Sequence, residues 1–197
     1  MLKRILSFIL RRSDSQSEKD IDRSTGRLLE QRFVPLLLPI SHDVAATCIA
    51  QLESLAKKSK LLPVNLCVNS PGGDINASFD IVGTMDSLGC PVRTICCGIA
   101  GGTAAVIVAH GCKDFRFAVP DCQFAFSNGY VSKQFGCLET ELSTLDQMMV
   151  EILAEDTGQH ETEVRRWLSG SLIFDFQQAL SVRLFDGVAR HQVAIAS

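Results

Sequence analysis

Two glycine-rich turns carry the residue types through which this chain could do chemistry: Ser70-Pro71-Gly72-Gly73, and the run from Gly98 to Gly102. Glycine lets backbone N–H groups approach a bound atom closely. Donors held where a strand runs into a helix stabilise the oxyanion of an acyl-transfer reaction. Such a reaction also needs a nucleophile on the second turn and a base within hydrogen-bond reach. That turn carries glycine instead, at Gly101 and Gly102.

The elements that must position these turns follow from periodicity. Val64 to Asn69 alternates as a strand, and Ile75 to Leu88 places Ile75, Phe79, Val82 and Met85 on one side of a helix that Gly89 and Pro91 end. Val92 to Cys96 is a second, β-branched strand, and Thr103 to Ala109 is an Ala/Val helix narrow enough to be buried. Upstream, Ser41 is an N-cap for a helix with Val44, Ala45, Cys48, Ile49, Leu52 and Leu55 on one face. Pro35 and Pro39 make the preceding segment an edge strand or a bulge. Strand and helix alternate, so the predicted fold is α/β, with parallel strands joined by right-handed crossovers. Downstream come short strands at 115–119 and 123–126, then a polar stretch, Asn128 to Gly136, read as an exposed arm. A helix follows with Leu138, Leu142, Leu145, Met149, Ile152 and Leu153 as its apolar stripe. The chain closes with a helix from Glu161 to Leu168, a helix from Phe176 to Val182 capped by Asp175, and a strand from Gly187 to Ile195.

The motifs Asn69-Ser70-Pro71-Gly72-Gly73-Asp74-Ile75, Thr94-Ile95-Cys96-Cys97-Gly98-Ile99-Ala100-Gly101-Gly102-Thr103-Ala104-Ala105 and Val119-Pro120-Asp121-Cys122-Gln123-Phe124-Ala125-Phe126-Ser127 resemble those of the Clp protease proteolytic subunit. That family reads N-S-P-G-G-x-I, T-I-C-x-G-x-A-A-S-M-G-A and L-P-N-S-R-V-M-I-H-Q-P. The likeness runs over roughly residues 20 to 190 and implies the ClpP/crotonase-like fold with a protruding handle at about 128–156. Aligned without gaps, Gly102 stands at the family's nucleophilic serine, Ser127 at its histidine and, counted from Thr157-Gly158-Gln159, Ser171 at its aspartate. The family's oxyanion donors fall on Gly73 and Thr103. The resemblance also makes the 138–153 helix a handle that contacts other subunits, through Leu138, Leu142, Leu145, Met149 and Ile152. The arm is about five residues shorter than in the usual bacterial sequences.

No other side chain supplies the missing roles. Thr103 follows the lost serine, and one step along a helix turns a side chain by ~100°, away from the donors. Cys96 and Cys97 end a buried strand with no base or positive field nearby. His110 is ~12 Å down the helix from Gly102 and suits the helix C-terminus. His42 reads as solvated, His160 and His191 match no motif, and Asp175 has a sufficient role as a cap. No metal-ligand spacing occurs, and no cofactor is expected. In serine peptidases, losing the nucleophile or the histidine costs on the order of 10⁶ in turnover, while the remaining site keeps only ~10³–10⁴ over water.

At 197 residues, 46% hydrophobic and 21% charged, the chain suits a single domain. Its net charge of -3 and pI near 5.8 give no nucleic-acid footprint. Eight cysteines without C-x-x-C spacing read as small buried hydrophobes in a reducing compartment. The apolar run in Met1 to Arg12 is too short to span a bilayer. Residues 1–20 are expected to form a flexible arm, which docks on a partner, targets an organelle or lies on a membrane, and 21–197 the folded domain.

The resemblance and the vacant triad together imply a non-catalytic, ClpR-type subunit of an ATP-dependent Clp protease ring. Its partners would be catalytic ClpP-type subunits, an AAA+ unfoldase and, through the complex, unfolded protein. Its place would be the bacterial cytoplasm or an organelle stroma or matrix. Two alternatives stay open: an endopeptidase with a rearranged site, and a crotonase-type acyl-CoA-binding enzyme.

Overall fold

A computed structural model describes residues 25–126 and 139–189, with the side chains of 139–143 excepted. The expected arm at 1–20, the stretch 128–138 and the strand beyond Ala189 lie outside the described residues. So do Ser127, Leu138, Cys137 and His191, and the side chain of Leu142.

Seven strands form one sheet, with β1 (Phe33–Leu36), β2 (Val64–Ser70), β3 (Val92–Gly101), β4 (Arg116–Ala118) and β7 (Gly187–Val188) in that order. All these neighbours are parallel. β5 (Gln123–Phe126) pairs parallel with the far end of β3, and β6 (Leu172–Phe174) pairs antiparallel with β5. β1 lies at the sheet edge, where Pro35 removes a backbone donor at little cost. The strand-helix alternation is as the sequence predicts: α1 (His42–Lys58), α2 (Ile75–Ser87) and α3 (Thr103–Ala109) each link parallel strands.

Local chemistry explains the helix starts. Ser41 caps α1 by accepting from the Val44 N–H, with Asp43 in its first turn and Lys57 and Lys58 in its last, matching the helix dipole. Asp74 accepts from the Ala77 N–H at 2.8 Å to start α2. Beyond α3 come α4 (Glu139–Thr157), α5 (Glu161–Ser169) and α6 (Phe176–Ser181). Asp175 and Gln178 form a reciprocal capping box at α6. His160, which matched no motif, caps α5 through Thr162.

The strands alternate their side chains between two clusters, as a period of two requires. Cys96 belongs to the large core under the helices, while Ile95 and Cys97 join Leu28, Phe33, Cys67 and Ala189 on the opposite face. Arg32, at a φ of 61°, donates to the carbonyls of Leu55, Ser59, Leu62 and Pro63, tying the end of α1 to the start of β2. No helix among the described residues is long and apolar enough to cross a membrane.

Candidate active site

The two glycine turns meet at the C-terminal ends of β2 and β3. β3 is irregular here: Val68 pairs with Cys96, yet Ser70, two residues on, pairs with Ala100, four residues on. Asn69 Oδ1 holds the resulting bulge by accepting from the Ile99 N–H at 2.9 Å. The turns are then pressed together so closely that side chains are excluded. A Cβ on Gly72 would lie 2.3 Å from Gly101 O, and one on Gly73 2.1 Å from Ile40 O, which are no contacts that real atoms tolerate. The first turn is fixed from outside as well: Asp74 N donates to Ile40 O at 2.7 Å, and Ser70 Oγ donates to Leu38 O at 2.6 Å.

Gly102 differs from these. It sits at φ 48° and ψ -116° as the N-cap of α3, and nothing lies within 4 Å of where its Cβ would be. That is the backbone of a strained strand-to-helix elbow, which in enzymes lifts a nucleophile out of the sheet. The space for a side chain is there, and the residue is glycine.

The sheet register brings Ser171 toward the same corner. Gly101 pairs with Ala125, the Gly102 N–H donates to Ala125 O at 2.8 Å, and Phe126 pairs with Leu172. Gly102, which follows β3, and Ser171, which precedes β6, therefore lie on either side of the end of β5. Ser171 is exposed and is followed, four residues on, by Asp175, which is committed to its cap.

The chain belongs to the Clp protease family. Its sequence profile matches residues 15–192, nearly the whole length, and the mostly parallel α/β architecture agrees with that fold. The match favours the Clp-type reading of the paired glycine turns over the crotonase-type one.

Several sequence expectations change at this site. Thr103 does not point away from the donors: its Oγ1 accepts from the Gly73 N–H at 3.2 Å and lies 2.8 Å from Ser78 Oγ. Gly73 thus has its donor already engaged, and Thr103, expected as a backbone donor alone, contributes its side chain too. The reason is that the 100° rule holds between helical residues, and Gly102 is not helical. No motif in the sequence marks Ser78; a serine on the buried side of an amphipathic helix is its only signal.

Cys96 and Cys97 are buried, as the sequence predicts. The Cys96 thiol is held well above its ordinary range by a hydrogen bond with Cys122 and by burial, and Cys97 likewise by Cys67 and by burial. Burial alone pushes Cys48 up to about 12. Among the described cysteines, Cys112 departs from the buried pattern, being exposed. His110 is the C-cap of α3, as expected, and bridges Asp156 and Asp86 with its two nitrogens. His42 is exposed, with Asp74 Oδ2 no nearer than 4.0 Å. No group of metal-ligating side chains occurs among the described residues.

The expected interface stripe divides. Met149 is 3% exposed and Leu153 fully buried, both within the chain's own core, so Met149 is a packing residue rather than a contact available to a partner. Leu145 and Ile152 are half-buried against that core, and Met148 is 40% exposed.

Proposed function

We propose that this chain is a non-catalytic structural subunit of an ATP-dependent Clp-type protease complex. The observation that carries the reading is Gly102: an elbow backbone with open space at its Cβ and no side chain to act from it. Ser171, just before β6, supports it, because a hydroxyl there cannot orient and charge-balance a histidine as a carboxylate does. The buried, high-pKa thiols at Cys96 and Cys97 leave no substitute nucleophile beside the turn. In this reading the subunit fills places in a ring with catalytic ClpP-type subunits, and an AAA+ unfoldase feeds that ring unfolded protein.

The test has two arms. Pure protein should hydrolyse no short fluorogenic peptide, and mixing with an active Clp-type subunit should give one particle on sizing that contains both chains. Hydrolysis by the pure chain that Thr103→Ala or Cys97→Ala abolishes would overturn the non-catalytic half. A chain that stays monomeric at micromolar concentration with the active subunit present would overturn the assembly half.

A further inference from the structure

We propose that Thr103 is an internal ligand of its own site: its hydroxyl occupies the place a peptide carbonyl oxygen needs, so the vacant site is closed to peptides as well as unable to cut them. This rests on the family match for the assignment of the turn, and deepens the reading of the subunit as non-catalytic.

A backbone N–H has one hydrogen, and the hydrogen on Gly73 is directed at Thr103 Oγ1, 3.2 Å away. The hydroxyls continue the chain. Ser78 Oγ lies 2.7 Å from Asp74 O, the carbonyl one turn back on its own helix, and 2.8 Å from Thr103 Oγ1. Asp74 O can only accept, so Ser78 spends its hydrogen there and the Thr103 hydroxyl hydrogen turns to Ser78 Oγ. The sequence of donors is therefore Gly73 N–H to Thr103, Thr103 O–H to Ser78, and Ser78 O–H to Asp74. Every hydrogen is used.

This network is also dry. Gly73 is buried, Thr103 is 3% exposed and Ser78 1%. A substrate carbonyl that took the Gly73 N–H would have to displace the Thr103 oxygen and leave a buried hydroxyl short of its donor, which is costly where water cannot replace it. Two acceptors cannot share the one hydrogen at full strength. Pressure of Gly73 against Ile40, with the Asp74 N–H fixed to Ile40 O, stops the turn from rotating its donor elsewhere. The plug is thus built by three elements, the Gly72-Gly73 turn, α2 and α3, and it does not depend on the missing triad.

Amide exchange of the isotopically labelled full chain tests this. In the wild type the Gly73 amide should be protected; Thr103→Ala should speed its exchange at least about tenfold, while the Asp74 amide, bonded to Ile40 O, stays unchanged as the internal control. Thr103→Ser keeps the oxygen and should behave as wild type. In the second arm, an N-acetylated hexapeptide acid at millimolar concentration should shift the Gly73 amide resonance saturably in Thr103→Ala and not in wild type. The proposal is overturned if wild-type Gly73 exchanges as a free amide, if the peptide shifts it in wild type, if Thr103→Ala fails to admit the peptide, or if Thr103→Ser behaves like Thr103→Ala. None of these readouts depends on hydrolysis or on assembly, so the plug and the structural-subunit reading fail separately.

Discussion

Gly72 and Gly101 rest backbone to backbone: a Cβ on Gly72 would stand 2.3 Å from Gly101 O, and one on Gly101 would stand 2.4 Å from Pro71 O. This contact locks the end of β2 to the end of β3 and so fixes Gly73 opposite Thr103. Gly102, one residue along, has no such neighbour and only its positive φ to satisfy.

The two glycines should therefore respond differently to alanine. Gly102→Ala meets open space and bears only the cost of an unfavourable backbone, about 1–3 kcal/mol. Gly101→Ala must push the Pro71 turn away and should cost more than ~4 kcal/mol, the range reserved for severe steric or packing faults. Denaturant midpoints of the two variants decide it; equal losses would mean that the turns are not in contact.

His110 ties the ends of three helices together. Its Nδ1 lies 2.8 Å from Asp156 on α4 and its Nε2 3.0 Å from Asp86 on α2. Burial pushes the imidazole pKa down, but the hydrogen bonds and charges of Asp156 and Asp86 outweigh it and raise the pKa above the ordinary 6.5. A raised folded-state pKa means that the ion pairs stabilise the fold fully below the unfolded value. That contribution is lost as pH rises through the folded one. Urea midpoints of the wild type and His110→Gln should therefore converge from about pH 6 upward through the raised pKa. A difference that stays constant over that window would show that the charged imidazole contributes nothing.

The buried Arg116 pairs with the more exposed Asp186. Arg116 is 3% exposed; its Nε donates to Asp186 Oδ2 at 2.9 Å, and its Nη1 donates to Ala109 O at 2.9 Å and Asp156 O at 2.8 Å. Burial pushes the Asp186 pKa up, but the Arg116 guanidinium outweighs it and brings the carboxyl below 3.8. The sign is opposite to that of His110: stability is present above the unfolded pKa and lost as pH falls through the depressed one. Arg116→Met should lower stability at neutral pH, because it leaves the Asp186 carboxylate and the Ala109 and Asp156 carbonyls without their donor, and the penalty should shrink in acid. A pH-independent penalty would assign the loss to packing.

Much of this architecture was legible in the chain because it rests on local signals. Alternation in 64–69, glycine and proline at the helix ends, and the Asp175 cap each fix their element with few long-range contacts. What escaped depends on geometry that periodicity does not encode. Helical spacing counted from Gly102 turns Thr103 away from the donors, but the non-helical Gly102 turns it toward Gly73. The Arg32 clamp joins residues 23 to 31 apart in sequence, with no motif to announce it. An apolar stripe on α4 says that the helix is covered on one side, and leaves open whether its own core or another subunit covers it.

Met148 and Met149 separate those two coverings. Met149 is 3% exposed and packed in the core with Val150 and Leu153, so Met149→Glu buries a carboxylate without a partner. It should lower stability by several kcal/mol or prevent folding, on the scale of large core disruptions. Met148, 40% exposed on the adjacent face, bears no such load. Met148→Glu should leave the denaturant midpoint within about 0.5 kcal/mol of wild type, as surface changes do. If α4 is the contact through which this subunit joins a ring, the same change places a charge in that contact and should shift the assembly toward smaller species on sizing. The half-buried Leu145 lies between the two cases, and Leu145→Glu should show some of each effect. A Met148→Glu protein that is fully stable and assembles as the wild type does would remove this part of α4 from the interface, while a folded, stable Met149→Glu protein would contradict its place in the core.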